Sequence, residues 1–175
     1  QNYLNALTRL DRTADLERLV MDKRTDLSTS ERNFHMVHLA YVLKKPNDDL
    51  RKALLEALES AVADGQVAML IQIANWAETR NLLDEAKKAF EAASVHQRTE
   101  REGYEGLIRV SYKLGDTNAY FKSVREAARR WSDNQFFSDQ YLYAALLMGT
   151  EMESSTGRVE KLLDACHALL NIGVD

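Results

Sequence analysis

Apolar residues recur at spacings of three and four along most of this sequence, and that period is typical of amphipathic helices. Two neighbouring segments, 66–98 and 100–132, show the period most clearly. In each segment one stripe is followed by a short polar connection and then by a second stripe, which predicts two helices joined by a turn. The stripe positions are Leu70, Ile73, Ala74, Ala77, Ala86, Phe90 and Ala93 in the first segment, and Tyr104, Leu107, Ile108, Ser111, Tyr120, Val124 and Ala127 in the second.

The connections between stripes fall at a regular interval. Asn81, Gly115 and Gly149 each lie 34 residues after the one before. Asparagine and glycine tolerate the left-handed backbone conformation that is needed where a helix ends and the chain reverses. An interval of 34 residues therefore predicts one helix–turn–helix unit that is repeated along the chain.

Weaker copies of the unit flank these two segments. They cover 28–63 and 134–171, and residues 1–24 are expected to form an N-terminal helix pair or a cap. A hydroxyl residue followed three positions later by Glu or Gln is the spacing of a capping box, which marks the beginning of a helix. That spacing occurs at Ser28 with Glu31, Thr99 with Glu102, and Ser132 with Gln135. We predict one all-α domain over residues 1–175, with about ten helices in five antiparallel pairs.

The second helix of the first clear segment reads Asn81-Leu-Leu-Asp-Glu-Ala-Lys-Lys-Ala-Phe-Glu-Ala-Ala93. This stretch resembles the tetratricopeptide repeat (TPR) family. The later segment departs from the family pattern, because Ile108 and Tyr120 stand at positions that are normally small. The resemblance is therefore to a TPR-like packing, and it implies an α-solenoid wound as a right-handed superhelix.

In the family that this chain resembles, the first helix of each pair lines a concave groove that holds peptides or partner helices. The resemblance implies that the protein is an interaction scaffold whose partner is a protein or peptide. Aromatic anchors contribute most of the binding energy at such surfaces, although some of these residues could instead pack against the adjacent helix. The implied groove residues are Phe34, Val37, Tyr41, Ile71, Asn75, Glu78, Glu105, Arg109, Tyr112, Phe136, Asp139 and Tyr143.

Composition narrows the choice of partners and compartments. The chain of 175 residues is 45% hydrophobic and 29% charged, as in ordinary soluble proteins. It has no apolar run of 18 residues, so we predict no insertion into a membrane. Its net charge of -4 disfavours binding to nucleic acid. The compartment stays open: the cytoplasm is slightly favoured, but a chain that starts at Gln1 could come from an exported or membrane-tethered protein.

Two groups of residues could carry chemistry, but ordinary structural roles explain both. Glu31, His35 and His38 have helical spacing that could hold a metal, but they lack another strong ligand nearby, which favours surface histidines. Cys166 and His167 are adjacent and so point in different directions on a helix. Cys166 falls on an apolar stripe, and we expect a small buried side chain there.

The remaining cationic and aromatic features also favour structural roles. Arg125, Arg129 and Arg130 are best explained as a solvated helix end. Trp76 and Trp131 are expected to pack between repeat units. The sequence contains no glycine-rich phosphate loop, no G-x-S-x-G and no Cys-x-x-Cys motif. We therefore expect no enzyme activity, no cofactor, and no catalytic or metal site.

Two functions remain open at this point. The first is a non-catalytic scaffold that binds a protein or peptide in its concave groove. The alternative is a structural or self-associating module, for example a spacer or sensor arm, in a larger multidomain or membrane-anchored protein. The apolar stripe over 159–170 could form a homo-oligomer contact in that case.

Overall fold

The computed structural model describes residues 10, 12–22 and 26–150, apart from the side chains at 19 and 146–150. These ranges contain helices and no strand, which confirms the all-α prediction. The eight helices are α1 (Thr13–Met21), α2 (Thr29–Val42), α3 (Asn47–Ala63), α4 (Val67–Thr79), α5 (Leu83–Ser94), α6 (Glu100–Leu114), α7 (Thr117–Arg130) and α8 (Gln135–Thr150). About ten helices were predicted for the whole chain, and the one expected over 159–170 lies outside the described residues.

The chain forms two compact units whose boundary lies within α6, between Gly103 and Tyr104. In the first unit each helix from α1 to α5 packs against the next one, and α2 also contacts α4 while α3 contacts α5. In the second unit α7 packs against α8. Ile108 of α6 joins the core between them, together with Val124 and Phe137. None of the described helices is long and apolar enough to cross a bilayer.

Four helices end in the same backbone arrangement. α2, α3, α4 and α6 are followed by a residue with positive φ: Lys44, Gly65, Asn81 or Gly115. After α6, the N–H of Asp116 donates to the carbonyl of Ser111, and the N–H of Gly115 donates to the carbonyl of Tyr112. The same two bonds recur after the other three helices, and together they define a Schellman motif. The turns predicted at Asn81 and Gly115, with φ of 59° and 68°, are confirmed.

The turn predicted at Gly149 is wrong, because α8 continues through Gly149 to Thr150. A single glycine costs a helix only about 1 kcal/mol relative to alanine. The preceding Ala-Ala-Leu-Leu-Met run over 144–148 consists of strong helix formers and extends the helix past that position. A glycine at the expected interval therefore did not end this helix.

The three predicted capping boxes have different outcomes. At Ser28, the hydroxyl accepts a hydrogen bond from the N–H of Glu31 and the Glu31 carboxylate accepts one from the N–H of Ser28, so this capping box is confirmed. The helix start predicted at Thr99 is confirmed, because α6 begins at the next residue. The Thr99 hydroxyl donates to the carbonyl of Ala93 at 2.9 Å, and its reciprocal bonding with Glu102 stays a prediction. The box at Ser132 is wrong, since α8 begins at Gln135 and the side chain of Asn134 accepts from the N–H of Phe136. Asparagine is as good a capping residue as serine and lies next to the helix.

Small residues lie where the helices pack most closely. Ala86, Ala93 and Ala127, which the pattern places at helix crossings, are fully buried. Gly103 is a closer case, because a Cβ atom there would lie 2.6 Å from the backbone nitrogen of Ser94. The start of α6 can approach the end of α5 in this way only without a side chain at position 103.

Candidate interaction surface

An open groove of about 450 Å³ lies in the second unit. The first helices of two successive predicted repeats, α6 and α8, contribute most of its lining, and the beginning of α7 contributes the rest. The groove contains four of the twelve residues that the sequence predicts for the concave face, namely Arg109, Tyr112, Phe136 and Tyr143. The complete lining is Ile108, Arg109, Tyr112, Tyr120, Phe136, Gln140 and Tyr143.

The floor of the groove is buried and held by one hydrogen bond. Ile108 and Tyr120 are almost fully buried. The Tyr120 hydroxyl donates to Oε1 of Gln140 at 2.9 Å, which ties α7 to α8 across the floor. Burial, together with the nearby Tyr143 and Tyr112, raises the pKa of Tyr120 to about 12. The phenol keeps its proton at neutral pH, as an ordinary tyrosine does, and the raised pKa extends this state to more alkaline pH.

The rim of the groove consists of exposed aromatic side chains. Tyr112 is 59% exposed, Phe136 45% and Tyr143 44%. A hydrogen bond between the Tyr112 and Tyr143 side chains raises the pKa of Tyr143. Single exposed apolar side chains are common, whereas several around one depression make a candidate interaction surface. We call these three residues the aromatic rim.

Two further predicted residues of the second unit do not line the groove. Glu105 is half-buried, and Asp139 is exposed on α8. Gln140, which the helical pattern does not indicate, does line it. Its contribution depends on a contact with Tyr120, twenty residues away in the sequence, which helical periodicity does not reveal.

The predicted groove residues of the first unit are more widely distributed. Phe34 and Val37 lie in the core, so they do not present a surface to a partner. Their helix, α2, packs against α1, α3 and α4. These three neighbours cover more than one face of the helix. Of the other residues, Tyr41 and Asn75 are exposed, and Ile71 and Glu78 are half-buried.

In the first unit an arginine packs against two aromatic rings. The Arg80 guanidinium carbon lies 4.0 Å from the ring centroid of Trp76 and 4.6 Å from that of Tyr41. The two rings are 5.6 Å apart and nearly perpendicular. We call Tyr41, Trp76 and Arg80 the Arg80 clamp. Arg80 directly follows α4 and lies four residues after Trp76, a spacing at which helical side chains meet, and this was the sequence signal for the contact.

The two histidines of α2 lie beside this clamp and are not surface residues, contrary to the expectation. His35 is buried and His38 is half-buried, with its ring 5.5 Å from that of Trp76. Burial lowers the pKa of His35. The pKa of His38 is lowered to about 4 by burial and, secondarily, by His35 and Arg80. Within the described ranges no three His, Cys, Asp or Glu side chains are grouped as a metal site.

The other candidate features are accounted for more simply. Arg129 and Arg130 pair with the Glu126 carboxylate at 3.0 Å and 2.8 Å, as expected of a solvated helix end. Trp131 packs against Tyr104 and Phe137 in the second unit. The Cys166 and His167 pair lies outside the described residues.

Comparison with known proteins adds one partial similarity. No protein-family model matches the sequence, and no solved structure matches it. A stretch of 60 residues, 33% of this chain, is 42% identical to the uncharacterized protein YcgB of Escherichia coli (strain K12). That stretch covers 11% of the Escherichia coli protein, so the similarity involves a small part of both chains.

Proposed function

We propose that this protein is a non-catalytic interaction module that binds a peptide or helix of another protein in the groove of its second unit. The observation that carries the proposal is the aromatic rim, three half-exposed aromatic side chains around one open depression. Rigid aromatic side chains contribute much contact area while they lose little conformational entropy, so they serve as anchors in protein recognition.

The proposed architecture is a TPR-like α-solenoid of antiparallel helix pairs. The Schellman turns after α4 and α6 recur at the 34-residue interval of that repeat. The N–H of Ser30 donates to the Asp64 carboxylate at 2.9 Å, so the start of α2 lies beside the end of α3, as antiparallel pairing requires. In such a stack α6 and α8 are first helices of their pairs, which is where the groove lies.

The chemistry of the lining favours binding over catalysis. The pKa values of Tyr120 and Tyr143 are raised, so their phenols stay protonated at neutral pH and can donate hydrogen bonds. The groove residues combine apolar area with neutral hydrogen-bonding groups and one cation, Arg109. This combination fixes the position of a ligand without activating it.

The test is selection from an unbiased peptide library by the purified full chain. Tyr112→Ala and Arg109→Glu should each weaken the selected peptides about tenfold or more. Circular dichroism should remain unchanged, because both residues are exposed. Val62→Ala, at an exposed position of the first unit, is the matched control and should bind as the original chain does.

Two outcomes would count against the proposal. Selected peptides that bind both groove variants normally would show that the groove is not the site. Reversible self-association that Tyr112→Ala leaves unchanged, with no peptide selected, would favour the alternative of a structural or self-associating module in a larger protein. Sedimentation at several protein concentrations measures that association.

A further inference from the structure

The sequence that follows α8 supplies an occupant for the groove within the same chain. Over 159–170, outside the described residues, apolar side chains recur at helical spacing, namely Val159, Leu162, Leu163, Cys166, Leu169 and Leu170. We call this stretch the 159–170 segment. Building on the proposed function, we propose that it binds in the groove of the second unit and covers the aromatic rim until a partner displaces it.

The helical repeat is interrupted before this segment. After their Schellman turns, α5 begins two residues past Asn81 and α7 begins two residues past Gly115. α8 instead continues through Gly149, and the first apolar position of the 159–170 segment comes ten residues after that glycine. The tight reversal of the other pairs is therefore not formed at Gly149. A connection of this length does not dictate which face of α8 the segment contacts.

The apolar surface that α8 leaves exposed lies in the groove. Phe137, Tyr141 and Ala144 belong to the core that α8 forms with α7. Among the described side chains of α8, the large apolar ones that are exposed are Phe136 and Tyr143, and both line the groove. An apolar helix therefore removes more apolar surface from water there than on the other described faces of α8.

The dimensions of the segment fit the groove. Phe136 and Tyr143 lie seven residues apart on α8, a rise of about 10 Å. Leu162 and Leu169 have the same separation, so an antiparallel helix presents one of them to each ring. Residues 151–158 extend to about 26 Å at most. That reach exceeds the rise of about 10 Å from the end of α8 back to Tyr143.

Charge and connectivity favour the same contact. Residues 151–175 carry five acidic and two basic side chains, whereas residues 104–150 carry six basic and five acidic ones. The two parts of the chain have opposite net charge and attract each other at low ionic strength. Because they are linked, the effective concentration of the segment is on the order of 1 mM, and a Kd of about 0.1 mM would keep the groove about 90% occupied.

Nuclear Overhauser contacts in the original full chain test the placement directly. Methyl groups of Leu162 and Leu169 should contact the rings of Tyr143 and Phe136. Samples that mix isotope-labelled with unlabelled chains separate contacts within one chain from contacts between copies. Methyl contacts to the half-buried Leu142, without the two rings, would show that the segment completes the last helix pair and would overturn the inference. Contacts only between copies would overturn it in favour of a dimer.

Leu162→Asp in the full chain tests the regulation. It should release the segment, because an unpaired carboxylate is costly to bury against aromatic rings. The aromatic ¹³C resonances of Tyr112, Phe136 and Tyr143 should shift, and library-selected peptides should bind about tenfold more tightly since they no longer displace the segment. Ala168→Asp, the matched control, adds the same charge off the apolar stripe and should change neither. Equal behaviour of the two variants would contradict the inference.

The failures of the two proposals differ. If the methyl groups contact other residues while library peptides still need Tyr112, the inference falls and the proposed function stands. If the methyl groups contact the aromatic rim and neither the original chain nor Leu162→Asp selects a peptide, the contact stands and the proposed function fails. If the methyl groups contact other residues and no selected peptide needs Tyr112, both proposals fail.

Discussion

In the first unit the aromatic side chains of Tyr41 and Trp76 enclose a cation, whereas in the second unit three exposed aromatic side chains surround an open groove. Tyr41 is 47% exposed, a value between those of Tyr112 and Phe136. One face of its ring, however, is covered by the guanidinium of Arg80. Tyr41 also lines an open depression of about 460 Å³, whose other lining residues, Val42, Lys44, Lys45, Asn47 and Leu50, are not aromatic. The groove of the second unit has four aromatic side chains in its lining. The comparison shows that one exposed aromatic residue beside a depression is weaker evidence for a binding site than several aromatic residues around it.

The polar side chains of the two regions also differ in their hydrogen-bonding partners. In the first unit, Arg80 donates to the carbonyl of Trp76 and to the hydroxyl of Thr79, so the clamp satisfies part of its own hydrogen-bonding capacity. In the second unit, Gln140 lines the groove and accepts a hydrogen bond from the Tyr120 hydroxyl of its floor. We therefore expect substitutions in the Arg80 clamp to reduce stability and substitutions in the aromatic rim to reduce binding.

The largest stability effect should follow from Trp76→Ala. Trp76 is buried and contacts Tyr41, His38 and Arg80, so its removal leaves a large cavity and should cost about 3–5 kcal/mol of unfolding free energy. Urea denaturation measures that cost. Trp131→Ala in the second unit, where the tryptophan is half-buried, is the comparison and should cost about 2 kcal/mol. A Trp76→Ala protein within 1 kcal/mol of the original would refute a stabilising clamp.

The second-largest effect should be a fall in the unfolding free energy of the first unit in acid. The pKa of His38 is about 4 in the folded protein and 6.5 in its ordinary environment. Between these values only the unfolded chain binds the proton, so stability is present above pH 6.5 and falls as the pH is lowered toward 4. The loss should be about 2–3 kcal/mol, and His35, whose pKa is also lowered, acts in the same direction.

The variant His38→Gln separates this effect from the titration of carboxylates. Its unfolding free energy should depend less steeply on pH between 6.5 and 4 than that of the original protein. Residues 104–150 contain no histidine, and their amide hydrogen exchange should reflect no such transition. Equal pH slopes in the two proteins would contradict the buried, neutral state of His38.

The smallest of these losses in unfolding free energy should follow from removing the cation of the Arg80 clamp. Arg80→Gln should cost about 1–2 kcal/mol, because it removes the guanidinium from two aromatic rings. Arg80→Lys keeps the charge but not the planar stacking, and it should recover only part of the loss. A double-mutant cycle with Tyr41→Ala should give a coupling energy above zero. Strict additivity would mean that Arg80 and Tyr41 are neighbours without energetic interaction.

Much of the local structure could be predicted because it depends on residue type. Asn81 and Gly115 adopt the left-handed conformation that their side chains permit. Lys44 adopts it as well, with φ of 51°, and nothing in a lysine indicates this. Gly149 is the opposite case. Glycine permits the left-handed conformation, but the helix continues through it because the preceding residues favour helix. Residue type thus sets what is allowed, and packing decides which allowed conformation is used.

The candidate site was only partly predictable for a related reason. Tyr112, Phe136 and Tyr143 were identified from the face of the helix on which they lie. Phe34 and Val37 were placed on the same kind of face but are buried, because the core and groove faces of a helix adjoin and a shift of one residue exchanges them. Gln140 became visible only through its contact with Tyr120 in three dimensions, whereas the four-residue spacing of Trp76 and Arg80 was a signal in the sequence.

The most direct test of the account is to record which aromatic rings sense a bound peptide. Aromatic ¹³C resonances of the full chain would be followed by nuclear magnetic resonance during titration with the tightest peptide from the library. The account predicts that the rings of Tyr112, Phe136 and Tyr143 shift together, while those of Tyr41 and Trp76 do not. Shifts at Tyr41 and Trp76 with an unchanged aromatic rim would contradict it.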